Sequence, residues 1–172
     1  MKFSQVNFPF SVCKSESPDF IIHIDAGKTI GIEHREITTE PYQQYLTESL
    51  RQPSIEPVFL DRFKLGGSPE NENNSGWVGN GVEQEWVELA LRAICDKQEL
   101  LNKDHYKQLD SYDLLLYSNT YLSNVKREIV MPILSDVYTA KCRGRFFKRL
   151  FNSVTIIYGD EVWFRALKFL NE

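Results

Sequence analysis

The sequence has no long apolar run and only three cysteines. No stretch approaches the roughly 20 apolar residues that a membrane-spanning helix needs, and polar residues interrupt the start of the chain before a signal-peptide core could form. Cys13, Cys95 and Cys142 are odd in number and far apart, unlike the cysteines of a disulfide framework or a zinc site. We therefore expect a cytoplasmic protein without membrane contact, in which the cysteines are buried free thiols.

The composition is that of a globular domain with an acidic balance. Hydrophobic residues make up 42% of the 172 residues and charged residues 26%, so a single domain over residues 1–172 has ample material for a core. The net charge of −4 is uneven, because residues 1–100 carry 9 basic and 16 acidic side chains and residues 101–172 carry 11 and 8. Such a protein is not a general polyanion binder, so contact with nucleic acid would require a local basic surface.

Strand and helix patterns alternate along the chain and predict an α/β fold, with a mixed central sheet flanked by helices. Apolar runs at 19–25 and 29–33 stand on either side of a glycine-containing turn, which is typical of a hairpin. The short apolar run at 112–117 is typical of a buried central strand. The other expected elements are helices at 40–51, 82–103, 122–134 and 137–151, a strand at 153–158 and a mobile glycine-rich loop at 66–81.

Two carboxylates stand at the open end of the predicted hairpin. Asp19 opens the first strand and Glu33 closes the second, so the return of the chain brings them within a few ångströms of each other. Paired carboxylates with coordination positions left for water and phosphate suit a hard divalent ion. We therefore predict a Mg²⁺ or Mn²⁺ site at Asp19 and Glu33, against the alternative that both are merely solvated strand ends.

The residues around these carboxylates resemble a known superfamily. Pro18-Asp19-Phe20, followed after a hairpin's length by Ile30-Gly31-Ile32-Glu33-His34, resembles the metal-site hairpin of the PD-(D/E)XK nuclease-like superfamily, which includes restriction endonucleases. The resemblance implies a restriction-endonuclease-like fold in which the carboxylates hold the metal and a lysine positions the attacking water. The chain departs from the usual pattern two residues after Glu33, where Arg35 stands in place of that lysine. We expect Arg35 on the Glu33 face of the strand as a phosphate contact, and His34 on the opposite face.

A lysine on a predicted helix is the candidate for positioning the attacking water in place of the absent strand lysine. The superfamily contains members whose lysine has moved to a neighbouring helix, and the resemblance, which covers about residues 18–117, places Lys97 in that position. Lys97 lies on the apolar stripe of the 82–103 helix, which also holds Trp86, Ala90, Ala93 and Leu101. An ammonium on a core-facing stripe needs a partner. We predict that Lys97 acts with Asp19 and Glu33 in catalysis; the alternative is a side chain that snorkels past the stripe into water.

A basic segment near the end of the chain is the candidate nucleic-acid contact. Residues 141–149 hold two phenylalanines and five cations, namely Lys141, Arg143, Arg145, Lys148 and Arg149. Cations interleaved with aromatic rings suit a phosphate backbone, which the cations neutralise while the rings anchor the segment. The alternative is an amphipathic helix with the phenylalanines in the core and the cations solvated.

These residues together predict a metal-dependent nuclease that hydrolyses phosphodiester bonds of DNA or RNA, in bacterial defence or repair. A second hypothesis is a nuclease-like scaffold that has lost catalysis and binds a protein partner, a second copy of the chain or nucleic acid. The absence of lysine two residues after Glu33 and the acidic net charge favour this second hypothesis.

Overall fold

The fold is that of a computed structural model, which describes residues 10–24, 27–38, 40–51, 81–118, 125–142 and 147–166. Within these ranges the strands are β1 (Phe10–Lys14), β2 (Phe20–Ile24), β3 (Thr29–Glu36), β4 (Ser111–Ser118), β5 (Ser153–Tyr158) and β6 (Glu161–Ala166). The helices are α1 (Glu40–Arg51), α2 (Gly81–Leu101) and α3 (Arg127–Cys142). Along the chain, α1 and α2 separate β3 from β4, and α3 separates β4 from β5.

The six strands form one mixed sheet in the order β1-β2-β3-β4-β5-β6. β2 is antiparallel to both β1 and β3, and β5 is antiparallel to β6. Gly27 and Gly159, in the turns of the β2–β3 and β5–β6 hairpins, have φ angles of 73° and 58°, a left-handed conformation that glycine adopts without a Cβ penalty. The α/β class with a mixed sheet, predicted from the sequence, is confirmed.

The chain divides into two compact units. The first comprises Met1–Arg35, Ile94–Tyr117 and Phe146–Glu172, and it holds nearly all of the sheet with the C-terminal part of α2. The second comprises Glu36–Ala93 and Ser118–Arg145, and it holds α1, the rest of α2 and α3. Asp19, Glu33 and Lys97 all belong to the first unit, so the candidate site lies within a single unit.

Each unit has its own buried side chains. In the first unit β4 alternates half-buried and buried residues, and Tyr112, Leu114 and Leu116 point into the core, as expected for a strand with one apolar face. Trp163 of β6 is 1% exposed and stacks on Tyr158 with ring centroids 4.9 Å apart. In the second unit the buried residues include Ile37, Trp86, Val87, Ala90, Val130, Leu134 and Tyr138.

Several elements predicted from the sequence are confirmed. The expected helix at 40–51 and the strand at 153–158 have the observed bounds, and the strand at 112–117 is one residue longer at each end. The hairpin of β2 and β3 is present. The helix expected at 82–103 begins at Gly81 and ends at Leu101, where the Asn102 side-chain amide donates to the Gln98 carbonyl at 2.8 Å and so satisfies a carbonyl of the last turn.

The prediction of separate helices at 122–134 and 137–151 is wrong. One helix, α3, runs from Arg127 to Cys142 with Pro132 inside it, and residues 147–152 are not helical. Pro132 removes a single backbone donor in the second turn of this helix, and its ring is exposed. The Glu128 carbonyl, four residues earlier, can therefore lose its helical partner without being sealed from water.

Some other expectations have a mixed outcome. Cys13 is exposed on β1 and Cys95 is half-buried, so the expectation of buried thiols is wrong for Cys13. Strand β1, exposed along its whole length, was not predicted. The loop expected at 66–81 lies outside the described residues, apart from Gly81. Among the described residues, none of the helices combines the length and apolar character that crossing a membrane requires.

Candidate active site

The hairpin register brings Asp19 and Glu33 to opposite positions. Phe20 pairs with Ile32 and Ile21 with Gly31, so continuing the register by one residue sets Asp19 opposite Glu33. Directly opposed residues of an antiparallel pair have Cβ atoms about 4.5–5.5 Å apart, close enough for side chains to interact. The local sequence therefore brings the two carboxylates together once the turn at Gly27 has formed.

The absence of a side chain at Gly31 allows close packing beside the site. A Cβ at this position would lie 2.9 Å from Pro18 Cγ, 2.9 Å from Tyr112 Cδ1 and 3.0 Å from Leu109 Cδ1. Pro18, which follows a cis peptide bond, thus packs directly on the backbone of β3, one residue before Asp19. Gly31 sets how closely the start of β2 approaches β3.

Glu33 is a buried carboxylate whose two oxygens each accept a hydrogen bond. The residue is 1% exposed. The Tyr106 hydroxyl donates to Oε1, and the Lys97 ammonium donates to Oε2. Burying a carboxylate without such partners would cost several kcal/mol, on the order of 3–5 when one member of a buried pair is lost. Tyr106 and Lys97 therefore make the burial of Glu33 tolerable.

Lys97 links the two carboxylates of the hairpin. Its Nζ donates to Asp19 Oδ2 at 3.2 Å and, at shorter range, to Glu33 Oε2. The lysine side chain is 14% exposed, so its aliphatic stem is buried along α2 while its head reaches the carboxylates. With both acids ionised, two negative charges face one positive charge, which leaves the cluster with a net charge of −1.

Asp19 is bound from a second direction by His34. The His34 backbone N–H donates to Asp19 Oδ2 at 2.9 Å, and His34 Nδ1 lies 3.0 Å from the same oxygen without hydrogen-bonding geometry. The imidazole stacks on Tyr117 at a centroid distance of 6.2 Å. Partial burial raises the pKa of Asp19, but the His34 N–H and the Lys97 charge outweigh it, so the pKa lies below its usual value and Asp19 is a carboxylate at neutral pH.

The pKa of Glu33 is shifted in the opposite direction. Burial raises the pKa of Glu33, and the hydrogen bonds from Lys97 and Tyr106 offset this only in part. Burial, together with the contact to Glu33, also raises the pKa of Tyr106, which keeps the phenol protonated as a donor. Two adjacent acids with pKa values pushed apart are a feature of catalytic sites, although structural ion clusters show it as well.

The other candidate residues occupy different surroundings. Arg35 is 46% exposed and its Nη2 lies 3.3 Å from Asp96 Oδ2, directly before Lys97 in sequence. Lys148 is 76% exposed and pairs with Asp104 at 3.2 Å. Lys141 is exposed in the last turn of α3, in the second unit. Arg143 and Arg145 lie outside the described residues.

Arg149 is bound to the C-terminal end of α2. Its Nη1 donates to the Leu101 carbonyl at 2.9 Å and to the Tyr106 carbonyl at 3.4 Å. Its own carbonyl accepts from Gln98 at 2.7 Å and from Asn102 at 2.9 Å. Arg149 thus ties the chain before β5 to α2, and a phosphate contact would compete with these internal bonds.

The sequence reasoning missed two residues of the site. Tyr106, 73 positions after Glu33, follows α2 without any motif around it, so its contact with Glu33 had no local signal. His34 was expected to face away from Glu33, and its contact with Asp19 was not predicted, since it is made by the backbone N–H and depends on where Asp19 lies beside β3.

The side chains of the cluster that could hold a metal ion are the carboxylates of Asp19 and Glu33. Among the described residues, no group of three or more His, Cys, Asp and Glu side chains is arranged to hold a metal ion. Two carboxylates nevertheless match the preference of Mg²⁺, which retains several waters and binds through one or two protein carboxylates plus substrate phosphate. The pair fits such an ion provided that Glu33 Oε2 becomes free of Lys97.

The fold and this cluster define an α/β protein with a lysine-bridged carboxylate pair at the base of a hairpin. The sequence matches no family model, and neither the curated proteins nor the solved structures yield a match.

Proposed function

We propose that the protein is a metal-dependent nuclease that hydrolyses phosphodiester bonds of DNA or RNA. The observation that carries this proposal is the convergence of Asp19, Glu33 and Lys97, from two strands and a helix, within hydrogen-bonding distance. Carboxylates for a divalent ion and a lysine for the water or phosphate are the parts that such hydrolysis needs. The same combination supports a restriction-endonuclease-like fold with its lysine on a helix.

Asp19 and Glu33 would hold Mg²⁺ or Mn²⁺. The cluster carries a net charge of −1 with both acids ionised, and a divalent cation would make it positive and attractive to a phosphodiester. When bound, the ion supplies Lewis-acid polarisation of the phosphoryl oxygen and a lower pKa for the attacking water. Asp19 is the more accessible ligand, with 26% of its side chain exposed.

Lys97 would orient the water or stabilise the phosphate. Its ammonium has three donors on a flexible stem, so it can redirect a hydrogen bond from a carboxylate to a neighbouring oxygen without movement of the helix. Arg35 cannot replace it in this role, because its guanidinium is an extended fork that is already paired with Asp96.

Surface cations would bind the nucleic-acid backbone. Arg35 and Lys148 in the first unit are exposed and able to bind phosphate oxygens. Lys141, in the second unit, is also exposed and is a separate candidate contact. Arg143 and Arg145 remain candidates from the sequence. These contacts would make affinity depend steeply on salt, since each neutralised phosphate releases bound counterions.

Cleavage assays with matched variants test the proposal. Plasmid, single-stranded DNA and RNA would be incubated with the purified protein in Mg²⁺ or Mn²⁺, with Asp19→Asn, Glu33→Gln and Lys97→Met as site variants. Lys103→Met and Glu88→Gln are controls, because they remove the same charges from exposed positions. We expect cleavage by the wild type and both controls, and at least about a hundredfold loss in each site variant. Equal cleavage by Asp19→Asn, or none by the wild type on any substrate, would contradict the proposal.

A second candidate function is a binding module without catalysis. The hydrogen bonds of Glu33 favour this candidate, because protein donors occupy both of its carboxylate oxygens. Such an arrangement is also expected of an ion cluster that only stabilises the fold. In that case the partner would be a protein, a second copy of this chain or nucleic acid. Wild-type protein that leaves every substrate intact, yet binds nucleic acid with strong salt dependence or forms a stable complex with a protein, would favour this candidate.

A further inference from the structure

The ammonium of Lys97 and a divalent cation would need the same oxygen. Glu33 Oε1 accepts from the buried Tyr106 hydroxyl, so Oε2 is the oxygen left for a metal, and Lys97 donates to it. Lys97 also contacts Asp19 Oδ2, the oxygen that accepts the His34 N–H. A cation bound between the two carboxylates would therefore meet a like charge in direct contact with both of its ligands.

We infer that Lys97 is an exchangeable counter-ion that holds the carboxylate pair together and withdraws from Glu33 Oε2 when a divalent cation binds, while Tyr106 keeps Glu33 in place. This inference rests on the proposed function, since it concerns the same metal site. Lys97 thus competes with the metal that it assists in the reaction. Its occupancy of Oε2 lowers the affinity for the ion and makes metal binding dependent on the movement of one side chain.

The surroundings of Lys97 permit this exchange. The side chain is 14% exposed and so is not fully enclosed, and its flexible four-carbon stem can turn the amine without moving α2. Glu33 has no comparable freedom, because it is 1% exposed and Tyr106, 2% exposed, fixes its other oxygen. We therefore expect Lys97, and not Glu33, to move when a cation binds.

Metal-binding measurements on charge-neutral variants of Lys97 test the inference. Mn²⁺ affinity would be measured by titration calorimetry for the wild type, Lys97→Met, Lys97→Gln and the control Lys103→Met, which removes the same charge from an exposed position. We expect Lys97→Met and Lys97→Gln to bind Mn²⁺ about tenfold more tightly than the wild type, because a like charge has left the site. Lys103→Met should stay within about twofold of the wild type.

Thermal unfolding provides a second readout that is independent of activity. Without Lys97 the carboxylates repel each other, so we expect Mn²⁺ to raise the melting temperature of Lys97→Met and Lys97→Gln more than that of the wild type. Adding Glu33→Gln to either variant should abolish the extra increase. Lys97→Gln retains a polar donor and provides the same test if Lys97→Met does not fold.

The outcomes separate the inference from the proposed function. If the wild type binds Mn²⁺ and both Lys97 variants bind it with the same or lower affinity, the inference alone is overturned, because the lysine then does not compete with the ion. Binding that is absent in the wild type and in both variants, or that persists at full strength in Asp19→Asn with Glu33→Gln, would contradict the proposed metal site itself.

Discussion

The hydrogen bond between Tyr106 and Glu33 should contribute substantially to stability. Tyr106→Phe removes the hydroxyl that donates to Glu33 Oε1 while keeping a ring able to pack against Tyr112, whose centroid is 5.7 Å away. A hydrogen bond to a charged group contributes about 1.5–3 kcal/mol, and the acceptor would stay buried without a replacement donor. We therefore expect the free energy of unfolding to fall by about 1.5–3 kcal/mol, measured by urea denaturation at neutral pH.

A double-mutant cycle assigns this loss to the contact itself. Combining Tyr106→Phe with Glu33→Met, which leaves no hydrogen-bonding group at position 33, should give a coupling energy of at least about 1 kcal/mol, because residues that share a buried hydrogen bond are not independent. Tyr112→Phe is the matched control. Its hydroxyl donates to the Lys107 carbonyl at 2.8 Å and accepts from the Leu109 N–H at 2.7 Å. Its effect should add to that of Glu33→Met within about 0.5 kcal/mol. Additive effects of Tyr106→Phe and Glu33→Met would refute the reasoning.

Three further predictions concern the framework around the site. Gly31→Ala should lower stability by about 1–3 kcal/mol in urea denaturation, because the new Cβ would lie 2.9 Å from Pro18 and Tyr112. Gly27→Ala, in open space at φ 73°, should cost about 1–2 kcal/mol from backbone strain alone. Unchanged stability of Gly31→Ala would contradict the close packing at this position. Burial raises the pKa of Asp113 although the bond from Ser153 opposes this shift. Stability is therefore lost as pH rises from the unfolded pKa to the higher folded pKa, and the loss is complete above the folded pKa. The stability of Asp113→Asn relative to wild type should accordingly increase from pH 3.5 to pH 7, and a flat difference would exclude this. Arg149→Met should lower stability by about 1–3 kcal/mol, because it removes the donor to the Leu101 carbonyl. Lys148→Met, at an exposed position, should change stability by less than about 0.5 kcal/mol. Equal effects of the two substitutions would show that the internal hydrogen bonds of Arg149 contribute little.

The elements that local patterns predict are those whose signal lies within a few residues. The β2–β3 hairpin followed from two apolar runs around Gly27, and β4 from one apolar run between polar residues. Helix α3 shows where such reasoning fails, because the apolar pattern predicted two helices at 122–134 and 137–151 and the structure has one from Arg127 to Cys142. Pro132 lies within it, at the cost of one lost hydrogen bond that the exposed face tolerates.

Within the candidate site, the sequence by itself determined the pairing of Asp19 with Glu33 and the position of Lys97 on the buried face of a helix. The pairing follows from the antiparallel return of the chain in a hairpin, and the position of Lys97 follows from the 3.6-residue period of a helix. Only the tertiary structure decided that Lys97 bridges the carboxylates, that Tyr106 donates to Glu33 and that Arg149 binds the end of α2. These contacts join residues that are 48 to 73 positions apart, and no local pattern encodes which side chains meet when distant elements pack together.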